Sequence, residues 1–539
     1  MSSECLFCLH PPDTRIQPNT MLAPVLIALI GLIAAAPLSP PDGGVKASSA
    51  DAEAARLNAD FAALPRPQHP EAGWMSAART VREHARAFTT RYPDDPRGLE
   101  IEATLSMGLG DDQGVDNAFG RLLTLAPSKT TAGLAWTDYW LSRDSAHAIA
   151  VLEGLVQRRP DALLYLDRLF RFLAADDPAR IVERFKRLGG PGGDRQQCGR
   201  ELDILARVSG GMAAMIGSRL RVAWPDDLDI AIATARGYRH ANRFGEARRL
   251  LDSIPAERMT DPAHVYLWSD TYYADHHFDR ALELLKSIDM EALAEADRPG
   301  LFRRLGFMIP VRQTAADMWP AEQQRRLDDA ARNDNPLAVL TINGREIVME
   351  LFEDDAPNTV AAFIAAADLG IYDGHEAGQV HPGFRTIFGD RHEDDGYPSW
   401  SLPAESYQQA PRPILAGNLV GYSDSKPGSA DMRFFILQFP APHLNERKTT
   451  FGRVLTGLDV LREMVQGDVL DSVEIIRRRD HAYDPDVFDA DLKPMKLSEV
   501  LAAATSSPQR RRTGDRSSKG AGTPSPGSAG SAPASAGAE

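Results

Sequence analysis

Between Asp51 and about Asp297 the apolar positions recur at helical spacing, and the pattern repeats itself. The clearest pair is Gly237-Tyr238 with Phe244-Gly-Glu-Ala247-Arg-Arg-Leu-Leu251, set against Thr271-Tyr272 with Phe278-Asp-Arg-Ala281-Leu-Glu-Leu-Leu285. Tyr238/Tyr272, Phe244/Phe278, Ala247/Ala281 and Leu251/Leu285 are each 34 residues apart. Pro93, Pro127 and Pro160 close apolar helical runs at nearly that interval. Further on the period changes. Glu346-Ile-Val-Met-Glu-Leu351 alternates as a half-buried strand does, and Asn358 to Leu369 predicts a helix with Pro357 near its first turn. Near the start, Leu22 to Ala36 is almost wholly apolar. At fifteen residues it is short for a membrane span.

A 34-residue period with a small Ala at the helix contact is similar to tetratricopeptide repeats, helix-turn-helix units that bury their apolar faces only by stacking. Four to seven such repeats fit residues 50–314, and the resemblance implies a solenoid whose concave face takes a protein partner. The charges in Arg280-Ala-Leu-Glu-Leu-Leu-Lys286 read as a solvated helix face. His276-His277 falls at an expected inter-helix turn and has no ligand partner at i+4, so no metal site is assigned there. Residues 315–335 read as a charged helical connector and 336–480 as a second domain. Residues 481–505 form an extension with one helical pattern, Leu497 to Ala504. Residues 506–539 are a Ser/Gly/Pro/Ala tail with Arg510-Arg-Arg512, whose composition cannot offset chain entropy by burial.

Charge and cysteine content narrow the partners. A net charge of −15 over 539 residues argues against nucleic acid as the main partner, because phosphate binding needs a basic surface. Three cysteines build no disulfide framework. Cys5 and Cys8 form a Cys-x-x-Cys without a second ligand pair, so the reading is an unstructured leader rather than a zinc or redox site. No cofactor or metal is implied. The apolar run 22–36 ends in Ala34-Ala-Ala and enters Pro/Gly/Ser-rich sequence, the layout of a secretory signal within the leader 1–49. An uncleaved N-terminal membrane anchor and a buried helix are the alternatives, and Met21 is a candidate initiator. Export, to the periplasm or to a membrane facing it, is the expectation.

The stretch from Pro336 to Arg479 carries five dispersed motifs: Ala338-Val-Leu-Thr-Ile-Asn-Gly-Arg-Glu-Ile-Val-Met-Glu-Leu-Phe352, Ala356-Pro-Asn-Thr-Val-Ala-Ala-Phe363, His381-Pro-Gly-Phe384, Arg433-Phe-Phe-Ile436 and Thr450-Phe-Gly-Arg453. In this order they resemble the cyclophilin-type peptidyl-prolyl cis-trans isomerases. The resemblance implies a closed eight-stranded antiparallel β-barrel with two capping helices, following the all-α tetratricopeptide-like solenoid. It also implies binding of proline-containing segments and catalysis of X–Pro rotation, which needs an apolar slot for the ring and a donor for the twisted amide. A fixed guanidinium suits the second task.

The family's pocket strand reads Phe-His-Arg-Val-Ile-Pro-Gly-Phe, and the matching run here is Ala377-Gly-Gln-Val-His-Pro-Gly-Phe384, so Gln379 stands at the position of the family's arginine. By the same resemblance Arg385 replaces the pocket Met and Ile387 the Gln that binds substrate backbone. His443 takes the rim Trp/His position and Lys448 that of a later pocket His. Phe384, Phe435 and Leu444 match the residues that enclose the proline ring. Ser423 and Asp424 take the Ala-Asn positions of the run Asn418 to Asp424, whose strand edge is expected to pair with peptide. Three readings of Arg385 stand open: a substitute donor, a plug in the proline slot, or a solvated rim charge. The chain is therefore read as an isomerase fused to an interaction scaffold, weakened at Gln379, with an inactive proline-binding module as the alternative.

Overall fold

The computed structural model describes residues 49–64, 72–190, 192–295, 299–389, 400–406, 411–422, 431–489 and 492–506. The leader with its apolar run and Cys5/Cys8, the tail beyond 506, and Ser423 and Asp424 lie outside them. Among the described residues no helix is long and apolar enough to cross a membrane. The chain divides into two compact units, 1–258 and 259–539.

The first unit is helical. From Pro96 onward its helices come in pairs: the first helices begin at Pro96, Thr130, Leu163, Arg195 and Leu228, the second at Asp112, Ser145, Pro178, Gly210 and Phe244, at intervals of 32–34 residues. Aspartates punctuate the array. Asp95, Asp111, Asp144, Asp194 and Asp227 each accept a backbone N–H of the first turn, at 2.9–3.0 Å. Such a cap is worth about 1 kcal/mol. Behind the caps Leu99, Leu152, Phe170, Leu202 and Ile230 share one continuous core.

The second unit opens with the same motif, helices Pro262–Ala274 and Phe278–Lys286, capped by Asp261. Its turn places His276 at φ 59°, as the turn 34 residues earlier places Asn242 at φ 57°. His276 lies against Trp319 and Phe278, with ring centroids 5.1 and 5.5 Å away. Burial, and after it the positive charge of Arg326, Arg462 and His277, pulls its pKa down to about 3. The unfolded chain takes up that proton near pH 6.5. Stability should therefore be present above about 6.5 and be lost as pH falls from there towards 3. About 2 kcal/mol should go between pH 7.5 and pH 5. Urea unfolding at the two pH values measures this, and His276→Asn, the residue tolerated at position 242, should flatten the difference.

Helix Pro299–Arg332 runs unbroken for 34 residues through Pro310 and Pro320. The expected boundary between repeats and connector at 314/315 thus falls inside a single helix. Arg312, fully buried, ties this helix to Asp270 at 2.8 Å and to Ser269. Lower down, Arg412 reaches across from the sheet domain, 3% exposed, with Asp329 at 2.6 Å, Asp355 at 2.7 Å and Glu322 at 3.6 Å. Its guanidinium carbon stands 3.8 Å from the centre of the Phe352 ring. The helix is bolted to the sheet by a buried cation, so it is part of that domain and not a tether.

The sheet has nine strands: β1 (Leu337–Ile342), β2 (Arg345–Leu351), β3 (His375–Glu376), β4 (Gln379–His381), β5 (Arg385–Phe388), β6 (Asn418–Gly421), β7 (Phe434–Leu437), β8 (Thr450–Thr456) and β9 (Val469–Arg477). Their order is β3-β9-β1-β2-β8-β6-β7-β5-β4, and every pairing is antiparallel. Among the described residues the expected closed eight-stranded barrel is instead a curled nine-stranded sheet whose end strands do not pair with each other. Those ends, β3 and β4, are separated in sequence only by Ala377-Gly378. The Gln466 amide spans the seam, accepting from Val380 N–H at 3.1 Å and donating to the Ala377 carbonyl at 3.1 Å. Chain continuity and one side chain thus do what a ninth strand pairing would do.

Inside the curl, Leu340, Met349, Phe363, Phe388, Phe434, Ile436 and Phe451 form the core, with helices Pro357–Asp368 and Leu458–Glu463 on the sheet. The extension holds more than its single expected helix. A hairpin of β10 (Asp486–Phe488) and β11 (Pro494–Lys496) precedes helix Leu497–Ser506, and Val487, Leu497 and Val500 join the same core.

Candidate functional site

The site grows from a tight turn. Pro382 fixes one central position and Gly383, at φ 74°, takes the other, with Phe384 N–H donating to the His381 carbonyl at 3.0 Å. This is the type II arrangement, which requires positive φ at its third residue. Gly383 N–H also donates to Gln438 Oε1 at 2.9 Å, and the Gln438 amide bonds the Leu461 carbonyl at 3.0 Å. Gly383→Ala should cost about 1 kcal/mol or more by forcing a Cβ into this conformation. Thermal unfolding reads it.

Beyond the turn, register decides which side chains meet. Gln379 opposes Ile387, Ile387 opposes Phe435, and Phe435 opposes Val420. In the next row His381 opposes Arg385, and Arg385 opposes Leu437. Directly opposed residues share a face, so Gln379, Ile387, Phe435, Val420, Arg385 and Leu437 all stand on the face away from the core. Thr386, Phe388, Phe434 and Ile436 take the inner one. Ile387, Ile414, Val420, Phe435, Leu437 and Ala441 form an apolar cluster of their own, with Phe384, Tyr422 and Leu444 half-buried at its edge. Phe384, Phe435 and Leu444 are therefore brought together, as the resemblance implied.

The polar residues are distributed differently. Gln379 is exposed, its Oε1 3.2 Å from His381 Nε2. Ile387 is buried in the cluster and offers no donor to a peptide backbone. Arg385 is half-buried, and its guanidinium carbon lies 5.3 Å from the Phe435 ring centre and 5.5 Å from that of Phe384. Its Nε is buried and has no hydrogen-bond partner among the described residues. The cation thus lies near both phenylalanine rings while part of the side chain stays open to solvent. Lys448 is buried too, its Nζ 5.4 Å from the Tyr422 ring, where Arg433 stacks at 4.2 Å. His443 is half-buried, and burial, then Arg447, holds its imidazole below the usual pKa.

Two further expectations change. Strand β6 is paired on both sides, to β7 and β8, so 418–421 presents no free edge to a peptide. The aromatic wall also includes Tyr422, which was not singled out. Its i, i+2 spacing from Val420 within a strand would have placed it on the groove face.

Residues 337–479 match the model of the "Cyclophilin type peptidyl-prolyl cis-trans isomerase/CLD" family. Peptidyl-prolyl cis-trans isomerase B of Bacillus subtilis is 36% identical over 135 residues, which cover 25% of this chain and 92% of that protein. The chain belongs to the cyclophilin-type isomerase family. The peptidyl-prolyl cis-trans isomerase of Synechococcus elongatus is likewise 36% identical, over 143 residues covering 26% of this chain and 95% of that cyclophilin. Among solved structures, a Cryptosporidium parvum cyclophilin crystallised in the presence of the dipeptide Ala-Pro is 22% identical, covers 26% of this chain and 98% of its own, and has a TM-score of 0.24. On the groove face of this cyclophilin-type domain, Phe384 and Phe435 flank the Arg385 guanidinium, and Gln379 stands exposed.

Proposed function

We propose that residues 337–479 catalyse cis–trans rotation of X–Pro bonds in peptide or protein clients, with Arg385 supplying the guanidinium that Gln379 does not. The carrying observation is the cation placed over Phe384 and Phe435, with a buried Nε–H that has no partner among the described residues. Rotation meets a barrier of about 18–20 kcal/mol because amide resonance must break. Uncatalysed, it takes tens of seconds or more. No proton moves and no bond is cleaved. A donor aimed at the prolyl amide as its nitrogen pyramidalises lowers that barrier, and a charged donor does so about twice as strongly as a neutral amide such as Gln379.

A second reading has its own support: the same guanidinium covers the rings that would receive proline, which favours a weak or inactive enzyme whose slot is partly plugged. Exchange NMR on an Ala-Ala-Pro-Phe peptide with the full chain tests the first reading. Interconversion well above the peptide alone is expected, and a rate equal to that of peptide in buffer would refute it.

Around this module we read the paired helices as tetratricopeptide-like repeats that gather a protein partner. The matched αL turns at Asn242 and His276 and the 32–34-residue intervals support that reading. Export remains our reading of the leader, supported by its apolar run and small-residue end.

A further inference from the structure

We propose that Phe307, contributed by the helix that precedes the family's residues, forms with His443 an aromatic subsite for an apolar side chain flanking the proline of a bound peptide. The inference rests on the peptide-binding reading above and names what the groove selects beyond proline.

Three observations carry it. The Phe307 ring meets the His443 imidazole edge-on, with centroids 5.9 Å apart and planes at 66°. This geometry is favourable for an aromatic pair. Phe307 nonetheless remains 43% exposed, whereas its helix neighbours Leu305 and Met308 are buried among the helices of their own unit. A large ring left this open does little for packing, and with His443 it presents a wet aromatic face.

The pair is also fixed in place. Eleven residues after Phe307, three helical turns on and on the same side of the helix, Met318 Sδ accepts from Asn445 Nδ2 at 3.2 Å. Asn445 in turn accepts the Ile414 N–H at 2.9 Å. The short helix Pro442–Leu444 is thus held between the long helix and the groove, with His443 turned to Phe307 and Leu444 to the cluster around Phe435. The subsite and the proline slot are thus bordered by adjacent residues of one short helix. Burial keeps the imidazole uncharged near neutral pH, which suits an apolar or aromatic guest.

The test uses the full chain and two peptide series, Xaa-Pro-Ala and Ala-Pro-Xaa, with Xaa as Ala, Leu or Phe. Binding is followed by chemical-shift titration and rotation by exchange NMR in the same samples. Phe307→Ala should weaken binding and lower kcat/KM by roughly two- to tenfold for Leu and Phe at one flanking position, with less than a twofold change for Ala. Phe307→Leu should restore Leu more than Phe. A loss equal across all guests, or no loss in either series, overturns the subsite while leaving the isomerase reading intact. If the wild-type chain neither binds nor rotates any peptide, that reading falls and the subsite falls with it. Because Phe307 is exposed, unchanged thermal unfolding of both variants is the expected folding control.

Discussion

Arg412→Ala should destabilise the second unit by about 3–5 kcal/mol, the range seen when one member of a buried ionic cluster is removed. Its guanidinium is 3% exposed and serves three carboxylates at once, with Glu322 and Asp329 themselves buried. Removing the cation takes one partner from each acid, leaving Glu322 to Arg326 and Asp329 to Arg332, and also takes a stacked plane off Phe352. The damage should be local to the helix–sheet contact. In thermal unfolding of the full chain, the transition reporting the second unit should fall, and amides along helix Pro299–Arg332 should exchange faster. A shift of a degree or less would show that the cluster does not hold the helix to the sheet. Family boundaries would place a cut at Leu337, which discards Glu322 and Asp329. A fragment trimmed there should be less stable than one that retains the helix.

The second large effect concerns the groove cation. If Arg385 is the working donor, Arg385→Met should lower kcat/KM by about a hundredfold or more, as loss of a preorganised electrostatic donor does elsewhere. Methionine keeps the apolar volume and contact with Phe384 and Phe435, so binding of proline should change little. The opposite result is equally informative. A rise in activity on Arg385→Met would mean that the guanidinium plugs the slot. Gln379→Arg reports on the other position, with a large gain expected only if the groove has room for a second cation. Combining the two substitutions separates the cases, since neighbouring charges on one face will not be additive.

Much of this arrangement was legible in the sequence where the signal was local or periodic. The 34-residue interval marks the two neighbouring helix pairs that share a left-handed turn, at Asn242 and His276. His381-Pro-Gly-Phe384 announced its turn through the special backbone of its two central residues. Alternation put Phe435 opposite Phe434 across the sheet, so one could line a groove while the other filled the core.

What escaped was set by distant partners. Pro310 and Pro320 each remove a backbone hydrogen bond and would be read as breaks, yet helix Pro299–Arg332 continues through both. Its packing on neighbouring helices, Arg312 included, offsets that loss. Arg412 meets acids 57 to 90 positions away, and no window of sequence links them. The closed eight-stranded barrel was implied by the resemblance alone, and β3 and β4, two and three residues long, are too short to show a period in the sequence. Arg385 was ambiguous for another reason: only its stacking on two rings tells a groove cation from a surface charge.

Those two stubby strands have a use in crowded surroundings. A sheet normally advertises its outermost backbone as a template on which foreign chains can zip up. Here the two rims are brief, stand next to each other, and share the Gln466 amide as a stopper. Such rims offer foreign strands little backbone to pair with.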